Sequence, residues 1–214
     1  MERILLVDGS SLIFRAFYAI RNLTTMDGIP TNAVYCFLSM YYKALDEFKP
    51  DHICVAFDRA GPTLRTKDYE DYKAGRQKTP SELSGQFGIL KDILEASGVT
   101  HTDMDDYEAD DILGTLAKAA QEKGYEAICL TGDKDYLQLV DENIKVVLTK
   151  KGISSTIVYD EEKIVEEYGV VPKDLIEVKA LMGDKSDNIP GVPGIGEKTA
   201  LKLLHQFGSI EEVL

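Results

Sequence analysis

Short apolar runs alternate along the chain with longer segments in which apolar residues repeat at helical spacing. The short runs are continuously apolar, which is typical of strands buried on both faces of a sheet. Alternation of such strands with helices predicts an α/β domain with a mostly parallel central sheet flanked by helices. We predict buried strands at 4–7, 52–57 and 127–130, a short strand near residue 99, and helices at 31–48, 81–97 and 107–123.

The pattern changes near Asp160, where strand-like runs give way to helical spacing and then to a segment rich in Gly and Pro. We therefore expect an α/β core over residues 1–159 and an appended helical region over residues 160–214. The elements around this change are predicted to be an antiparallel hairpin at 144–148 and 153–159 that turns at Lys151 and Gly152, helices at 160–168 and 172–182, and a final helix from Lys198.

Composition excludes several classes of protein. The 214 residues are 44% hydrophobic and 29% charged, which is typical of globular proteins and excludes a mostly disordered chain. The apolar runs fall far short of the ~18 residues of a membrane span, and the first is too short for a signal peptide. The cysteines Cys36, Cys54 and Cys129 lie far apart without a C-x-x-C pair, so we expect buried, reduced thiols and a cytoplasmic protein.

Charge is distributed unevenly. The chain has 24 basic and 37 acidic residues, and its net charge of −13 at first argues against a nucleic-acid partner. Residues 59–79 reverse this balance with six basic and three acidic side chains, and they fit no regular element. Because the segment directly follows Asp58 at the end of a predicted strand, a binding role is favoured over a solvated loop. Its basic residues are Arg59, Arg65, Lys67, Lys73, Arg76 and Lys78.

Acidic residues gather where the predicted strands end. Asp8, Asp58 and Asp133 each follow an apolar run, with Asp135 two residues later. One such residue alone fits a turn or a helix cap. Ligands of open α/β sheets bind outside the carboxyl ends of the strands, so three together indicate one shared crevice. Further acids stand at i, i+3 spacing, which projects them from the same side of a turn; they are Glu108 and Asp111 in one predicted helix, with Asp110 flanking them, and Asp184 with Asp187 in a later segment.

Nine carboxylates in one crevice require cations. Two such charges ~5 Å apart repel by about 3 kcal/mol at an effective dielectric constant of ~20. An all-oxygen cluster favours Mg²⁺ or Mn²⁺ over zinc, and the three histidines match no metal-ligand spacing. Two or more divalent ions suit in-line phosphodiester hydrolysis, one activating water and another stabilising the leaving oxygen.

A glycine-rich turn precedes the last predicted helix. Gly191, Gly194 and Gly196 have the spacing G-x-x-G-x-G. Backbone N–H groups of such a turn can approach a phosphate at the helix N-terminus. With a helix on either side, the turn is typical of a helix–hairpin–helix, which clamps the DNA backbone independently of sequence. The following helix offers further DNA contacts: Lys198, Thr199 and Lys202.

Seven motifs follow one another across essentially the whole chain. They are Val7-Asp8-Gly9-Ser10, Phe57-Asp58, Tyr72-Lys73 with Arg76, Tyr107-Glu108-Ala109-Asp110-Asp111, Gly132-Asp133-Lys134-Asp135, Gly183-Asp184 through Asn188-Ile189-Pro190, and Gly191 through Ala200. In this order they resemble the 5′ nuclease (flap endonuclease) family, and most closely its branch formed by the N-terminal 5′→3′ exonuclease domains of bacterial DNA polymerase I. The resemblance implies a PIN-like 5′ nuclease fold and a structure-selective 5′→3′ exonuclease and flap endonuclease. Such enzymes hydrolyse DNA in replication and repair, in primer removal and flap processing.

The resemblance also implies roles for the acidic residues. Those resembling the ligands of a first metal ion are Asp8, Asp58, Glu108, Asp110 and Asp111. Asp110 is expected to bridge to a second ion, which makes it a catalytic candidate. Those resembling the ligands of the second ion are Asp133, Asp135 and Asp187, with Asp184 either supporting these ligands from behind or acting through water.

The basic residues have implied roles of their own. Lys73 and Arg76 resemble a catalytic pair that contacts the scissile phosphate, and Tyr72 resembles a residue that stacks on the displaced terminal base. Arg65 and Lys78 are further DNA contacts in the segment 59–79, which resembles an arch that passes the 5′ strand. The glycine turn resembles a hairpin whose carbonyls hold K⁺ against the duplex.

The expected partner is a DNA duplex with a 5′ end, flap or nick, or one with a hybrid RNA–DNA 5′ strand. No membrane contact is expected. The resemblance implies a bacterial, nucleoid-associated monomer joined to a polymerase domain, and the chain ends before several further helices of the family's domain. Two alternatives stay open: a PIN-type single-strand ribonuclease and a non-catalytic DNA-binding module of a polymerase. The arch-like segment and the hairpin oppose the first, and the carboxylate cluster opposes the second because it repels phosphate.

Overall fold

The fold is built around one central sheet. The computed structural model describes residues 1–76, 78–150 and 155–213. Within them the strands of the sheet are β1 (Arg3–Asp8), β2 (His52–Ala56), β3 (Thr100–Thr102), β4 (Glu126–Thr131), β5 (Ile144–Thr149) and β6 (Thr156–Tyr159). They lie in the order β3-β2-β1-β4-β5-β6, and all neighbours are parallel except β5 and β6. The predicted α/β fold is confirmed, and the strand order reverses between β1 and β4, where open sheets bind their ligands.

Helices follow the predicted segments closely. Those of the described chain are α1 (Gly9–Ala19), α2 (Asn32–Phe48), α3 (Leu64–Asp68), α4 (Ser81–Ala96), α5 (Ala109–Glu122), α6 (Glu161–Tyr168), α7 (Leu175–Met182), α8 (Glu197–Phe207) and α9 (Ile210–Val213). The predicted helix at 172–182 is instead a short 3₁₀ helix (Pro172–Asp174) followed by α7. None of the helices in the described part of the chain combines the length and apolar content of a membrane span.

Alternate residues of the strands enter two separate apolar layers. Leu5 and Val7 pack with residues of α1, α2 and α4, whereas Leu6 and Cys129 pack with α5 and a 3₁₀ helix (Lys134–Leu139). Both faces of the sheet are therefore covered, which explains why the strands are continuously apolar. The thiols of Cys36, Cys54 and Cys129 are buried and free, as predicted.

The predicted hairpin is present as the antiparallel pair β5 and β6, in which Val146 faces Tyr159. The predicted second strand began at residue 153, whereas β6 begins at Thr156. The turn predicted at Lys151 and Gly152, together with residues 153 and 154, lies outside the described residues.

Within the basic segment, the sequence pattern missed helix α3. A capping box begins this helix: the Thr63 side chain accepts from Thr66 N, and Thr63 N donates to Thr66 Oγ1 at 2.7 Å. None of the residues in α3 is buried. Because no residue of α3 is buried, the helix has no apolar periodicity from which the sequence could predict it.

A smaller helical unit follows the sheet and contains a core of its own. Two-residue strands β7 (Gly183–Asp184) and β8 (Ile189–Pro190) pair between α7 and α8. At Gly183 φ is +71°, and a Cβ atom would collide with the backbone of Gly191, so the close approach requires glycine. The appended helical module is confirmed, and its apolar core consists of Val170, Val178, Leu181, Ala200 and Leu204.

Candidate active site

Asp8 forms the floor of the site at the carboxyl end of β1. It caps α1, because its Oδ1 accepts from Ser11 N at 2.9 Å, and its Oδ2 accepts from Thr131 Oγ1 at 2.9 Å. Burial raises the pKa of this carboxyl to about 7, and the charges of Asp58 and Asp133 add to the effect. A buried acid with two fixed hydrogen bonds and acidic neighbours is suited to a cation.

Asp58 joins the end of β2 to the beginning of α5. Its backbone N donates to Ser10 Oγ at 2.8 Å, and its Oδ1 accepts from Ala109 N at 2.8 Å. The second bond satisfies a backbone N–H in the first turn of α5. The acids that open α5 are thereby held beside Asp8.

Glu108, Asp110 and Asp111 surround the guanidinium group of Arg65. Glu108 caps α5, and its backbone N donates to Asp111 Oδ2 at 3.0 Å, which completes a capping box. Arg65 donates to Glu108 Oε2 at 2.8 Å, to Asp111 at 2.7 and 2.9 Å, and to Asp110 at 3.4 Å. Burial raises the pKa of Asp110 to about 6, against the opposing charge of Arg65. The i, i+3 spacing of Glu108 and Asp111 does place both on one side of the helix start.

Three further side chains of the basic segment also contact the acids of the site. Lys73 Nζ contacts Glu108 Oε1 at 2.7 Å, and Arg76 Nη2 contacts Asp187 Oδ1 at 2.6 Å. Tyr72 donates its hydroxyl to Glu108 Oε2 at 2.9 Å and lies 3.1 Å from Asp187 Oδ2. The residue is 6% exposed, so the implied stacking on a base requires this segment to move. Lys78 is exposed and lies outside this network.

A second acidic group lies where the helical module meets the sheet. Asp135, Asp184 and Asp187 each offer one carboxylate oxygen, and these oxygens lie within 4.8 Å of one another. Lys179 of α7 contacts Asp135 Oδ1 at 2.7 Å and also pairs with Asp184. Asp133 accepts from Asp135 N at 2.9 Å and so caps the 3₁₀ helix that follows β4.

All nine predicted acids thus belong to one continuous group. They are linked by hydrogen bonds, by basic side chains that contact more than one acid, or by their mutual charges. A cleft of about 630 Å³ opens beside them, lined by Asp110, Asp133, Asp135, Asp184 and Asp187. The donor set consists of carboxylate oxygens, which fits Mg²⁺ or Mn²⁺. Lys179, Thr131 and Tyr136 also lie in this region, and no motif in the sequence singled them out.

The glycine turn adjoins the second acidic group, because Gly191 packs against the backbone of Gly183, one residue before Asp184. Gly194 has φ +83°, and Gly196 precedes α8 and accepts from Thr199 N at 2.9 Å. Lys198, Thr199 and Lys202 are exposed along α8, and Gly191 contacts β7. These residues are accessible to a partner, and their contact with DNA stays a prediction.

Comparison with known families identifies the chain. A family model described as 5′-3′ exonuclease, N-terminal resolvase-like domain, matches residues 3–169. The chain belongs to the 5′-3′ exonuclease family. A second model of this family, described as the C-terminal SAM fold, matches residues 170–214. The resemblance inferred from the seven motifs is confirmed.

Relatives of the chain include bacterial DNA polymerase I proteins. It is 49% identical over 213 residues to DNA polymerase I of Bacillus caldotenax, covering 100% of this chain and 24% of the relative. The value for DNA polymerase I of Bacillus subtilis (strain 168) is 48% over 213 residues, with the same coverage of 100% and 24%. The chain therefore spans about a quarter of the length of the relatives it matches.

Solved structures share the fold. A T5 5′-exonuclease with bound zinc ions has a TM-score of 0.79 at 24% identity, over 99% of this chain and 78% of its own. A bacteriophage T5 flap endonuclease with DNA and metal ions has a TM-score of 0.78 at 24% identity, with coverage of 99% and 78%. The catalytic core of Rad2 in complex with DNA substrate has a TM-score of 0.63 at 19% identity, with coverage of 99% and 64%. The predicted 5′ nuclease fold is confirmed.

Proposed function

We propose that this chain is a divalent-metal-dependent, structure-selective nuclease that hydrolyses DNA phosphodiesters near a 5′ end. It acts as a 5′→3′ exonuclease and a 5′-flap endonuclease. The observation that carries the proposal is the group of nine carboxylates, paired with basic side chains, at the carboxyl edge of the sheet. The nuclease family of the chain and the DNA and metal ions in a T5 relative's structure support it.

The carboxylates would hold two or more Mg²⁺ or Mn²⁺ ions. Bound there, the ions would supply an activated water and stabilise the leaving oxygen. The first ion would be held by acids of the β1, β2 and α5 ends, and the second by Asp133, Asp135 and Asp187. Asp184 would act through water, and Asp110 would serve both ions. No covalent intermediate is required.

The basic side chains now compensate these acids and would turn to the substrate when divalent ions take their place. Lys73 and Arg76 then contact the scissile phosphate and stabilise its developing charge. Arg65 and Lys78 contact the same strand, and Tyr72 becomes free to stack on the terminal base. Segment 59–79 acts as the arch over the 5′ strand.

The helical region 160–214 would position the duplex relative to the core 1–159. The turn at Gly191, Gly194 and Gly196 clamps the duplex backbone, with K⁺ held by its carbonyl groups. Lys198, Thr199 and Lys202 extend this contact. Since the relatives are DNA polymerase I proteins, we propose primer removal and flap processing as its role, in a bacterial monomer joined to a polymerase domain.

Cleavage of a 5′-labelled flap duplex in Mg²⁺ tests the proposal, with EDTA and Ca²⁺ as controls. Mg²⁺-dependent release of the flap supports it. Uncut duplex that stays bound to the chain would instead identify a non-catalytic DNA-binding module. Preferential cutting of single-stranded RNA would identify a PIN-type ribonuclease.

A further inference from the structure

Among the buried side-chain nitrogen and oxygen atoms of the described residues, one makes no hydrogen bond within the usual distance and angle limits: the hydroxyl of Tyr136. The residue is 2% exposed, and its ring packs in the apolar layer that contains Leu6, Ala109 and Leu113. Buried hydroxyls are nearly always hydrogen-bonded, since an unmet bond is costly. A phenylalanine would fill this apolar layer equally well, so the hydroxyl calls for an explanation.

The position of Tyr136 supplies one. It follows Asp135 in the 3₁₀ helix that Asp133 caps, and it lines a cleft of about 610 Å³ together with Asp110 and Asp135. Its hydroxyl lies close enough to the Asp8 carboxylate for the two groups to interact. A phenol O–H is a hydrogen-bond donor, and a carboxylate oxygen can accept from it.

Asp8 already has two donors. Ser11 N binds its Oδ1 and Thr131 Oγ1 binds its Oδ2, both at 2.9 Å. Each carboxylate oxygen can accept a further bond. Groups that hydrogen-bond a metal-ligating carboxylate orient it and raise the affinity for the metal.

We propose that Tyr136 is a positioning residue for Asp8, to which its hydroxyl donates a hydrogen bond in the metal-loaded protein. The inference rests on the proposed metal-dependent function. It assigns to Tyr136 no contact with DNA and no part in the reaction itself.

The test compares Tyr136→Phe with Tyr159→Phe. Tyr159 lies in the same apolar layer and is equally buried, but its hydroxyl donates to Glu167 Oε2 at 2.9 Å on the far edge of the sheet. Both substitutions remove one hydroxyl and keep the ring. Mn²⁺ affinity is measured by calorimetry without DNA, and thermal midpoints are measured in EDTA.

Tyr136→Phe is expected to weaken Mn²⁺ binding by about tenfold, the lower end of the effects seen for groups that support metal ligands. Its midpoint in EDTA should equal or exceed that of the parent, because the change removes an unpaired buried hydroxyl. Tyr159→Phe should bind Mn²⁺ normally and have a lower midpoint. The single-turnover cleavage rate of Tyr136→Phe should be reduced at limiting Mg²⁺ and restored by excess Mg²⁺.

Unchanged Mn²⁺ affinity in Tyr136→Phe overturns the proposal. A lower midpoint in EDTA, as in Tyr159→Phe, also overturns it and gives the hydroxyl a structural role. A cleavage defect that excess Mg²⁺ does not restore assigns the hydroxyl to the substrate. If the unsubstituted chain binds no Mn²⁺ and cuts no flap, the proposed function itself fails.

Discussion

Arg65 stands in the centre of the acids that open α5, so its removal tests how the site balances its charge. Replacement by glutamine keeps a polar side chain of similar length and deletes the positive charge. Glu108, Asp110 and Asp111 then face one another without the guanidinium group between them. We expect Arg65→Gln to destabilise the metal-free protein.

The contacts of Arg65 set the size of the effect. It makes four hydrogen bonds to three carboxylates, at 2.7, 2.8, 2.9 and 3.4 Å. Removing one partner of a fully buried ion pair costs about 3–5 kcal/mol. The Arg65 side chain is 40% exposed, so solvent screening reduces the expected loss to about 2 kcal/mol. For a chain of this length the thermal midpoint should fall by about 4–8 °C.

Thermal unfolding in EDTA and in saturating Mg²⁺ measures the effect. The deficit should shrink in Mg²⁺, because divalent ions bound to the same carboxylates supply the missing charge. Arg59→Gln is the matched control: its side chain is 52% exposed and pairs with Asp103 and Asp105, outside the nine acids. That variant should lose less than about 1 kcal/mol in both conditions. Equal losses for the two variants, or an Arg65→Gln deficit that Mg²⁺ leaves unchanged, would refute the reasoning.

Three further predictions concern activity and pH. Asp110→Asn should abolish flap cleavage while DNA binding, measured by fluorescence anisotropy in Ca²⁺, is kept or tightened; lost binding would make the acid structural. Lys73→Ala should slow single-turnover cleavage far more than it weakens binding, and equal effects on both would contradict its catalytic role. With their pKa values raised to about 7 and about 6, Asp8 and Asp110 hold protons in the folded state that the unfolded chain has lost. The free energy of unfolding of the metal-free protein should therefore fall as pH rises from about 4 to about 7. Mg²⁺ binding should release protons at about pH 6 but few at about pH 8, which calorimetry in two buffers of different ionisation enthalpy will measure.

The acids were predictable from the sequence because local rules place them. Asp8, Asp58 and Asp133 follow buried strands, and the carboxyl ends of parallel strands share one edge. Glu108 and Asp111 are separated by i, i+3, so a single turn of helix is enough to place both side chains on one side. Each position depends on its own element, and the sheet then brings the elements together.

The partners of these acids were not predictable in the same way. Lys179 reaches Asp135 only because α7 docks against the 3₁₀ helix, 44 residues further along the chain. Tyr72 is buried because the loop that contains it docks on the loop around Asn188. Asn188 Nδ2 donates to the Asp71 carbonyl oxygen at 2.9 Å and links the two loops. Such contacts depend on tertiary docking, which neither periodicity nor spacing encodes. The motifs identified Tyr72 as a candidate residue, but they did not predict that its side chain is buried.

Charge balance reconciles an acidic chain with the polyanionic substrate that we propose. Setting aside the nine acids of the site leaves the remainder of the chain at −4, so the net charge of −13 describes mainly one crevice. In that crevice four basic side chains pair with the acids: Arg65, Lys73, Arg76 and Lys179. Two divalent ions would bring the same positive charge. If two divalent ions replaced the four basic side chains beside the carboxylates, the negative charge would be compensated to the same extent. The basic side chains would then be free to contact phosphate. In the proposed function the acids and the basic segment are therefore two halves of one site, and the overall charge says little about the field that DNA would meet there.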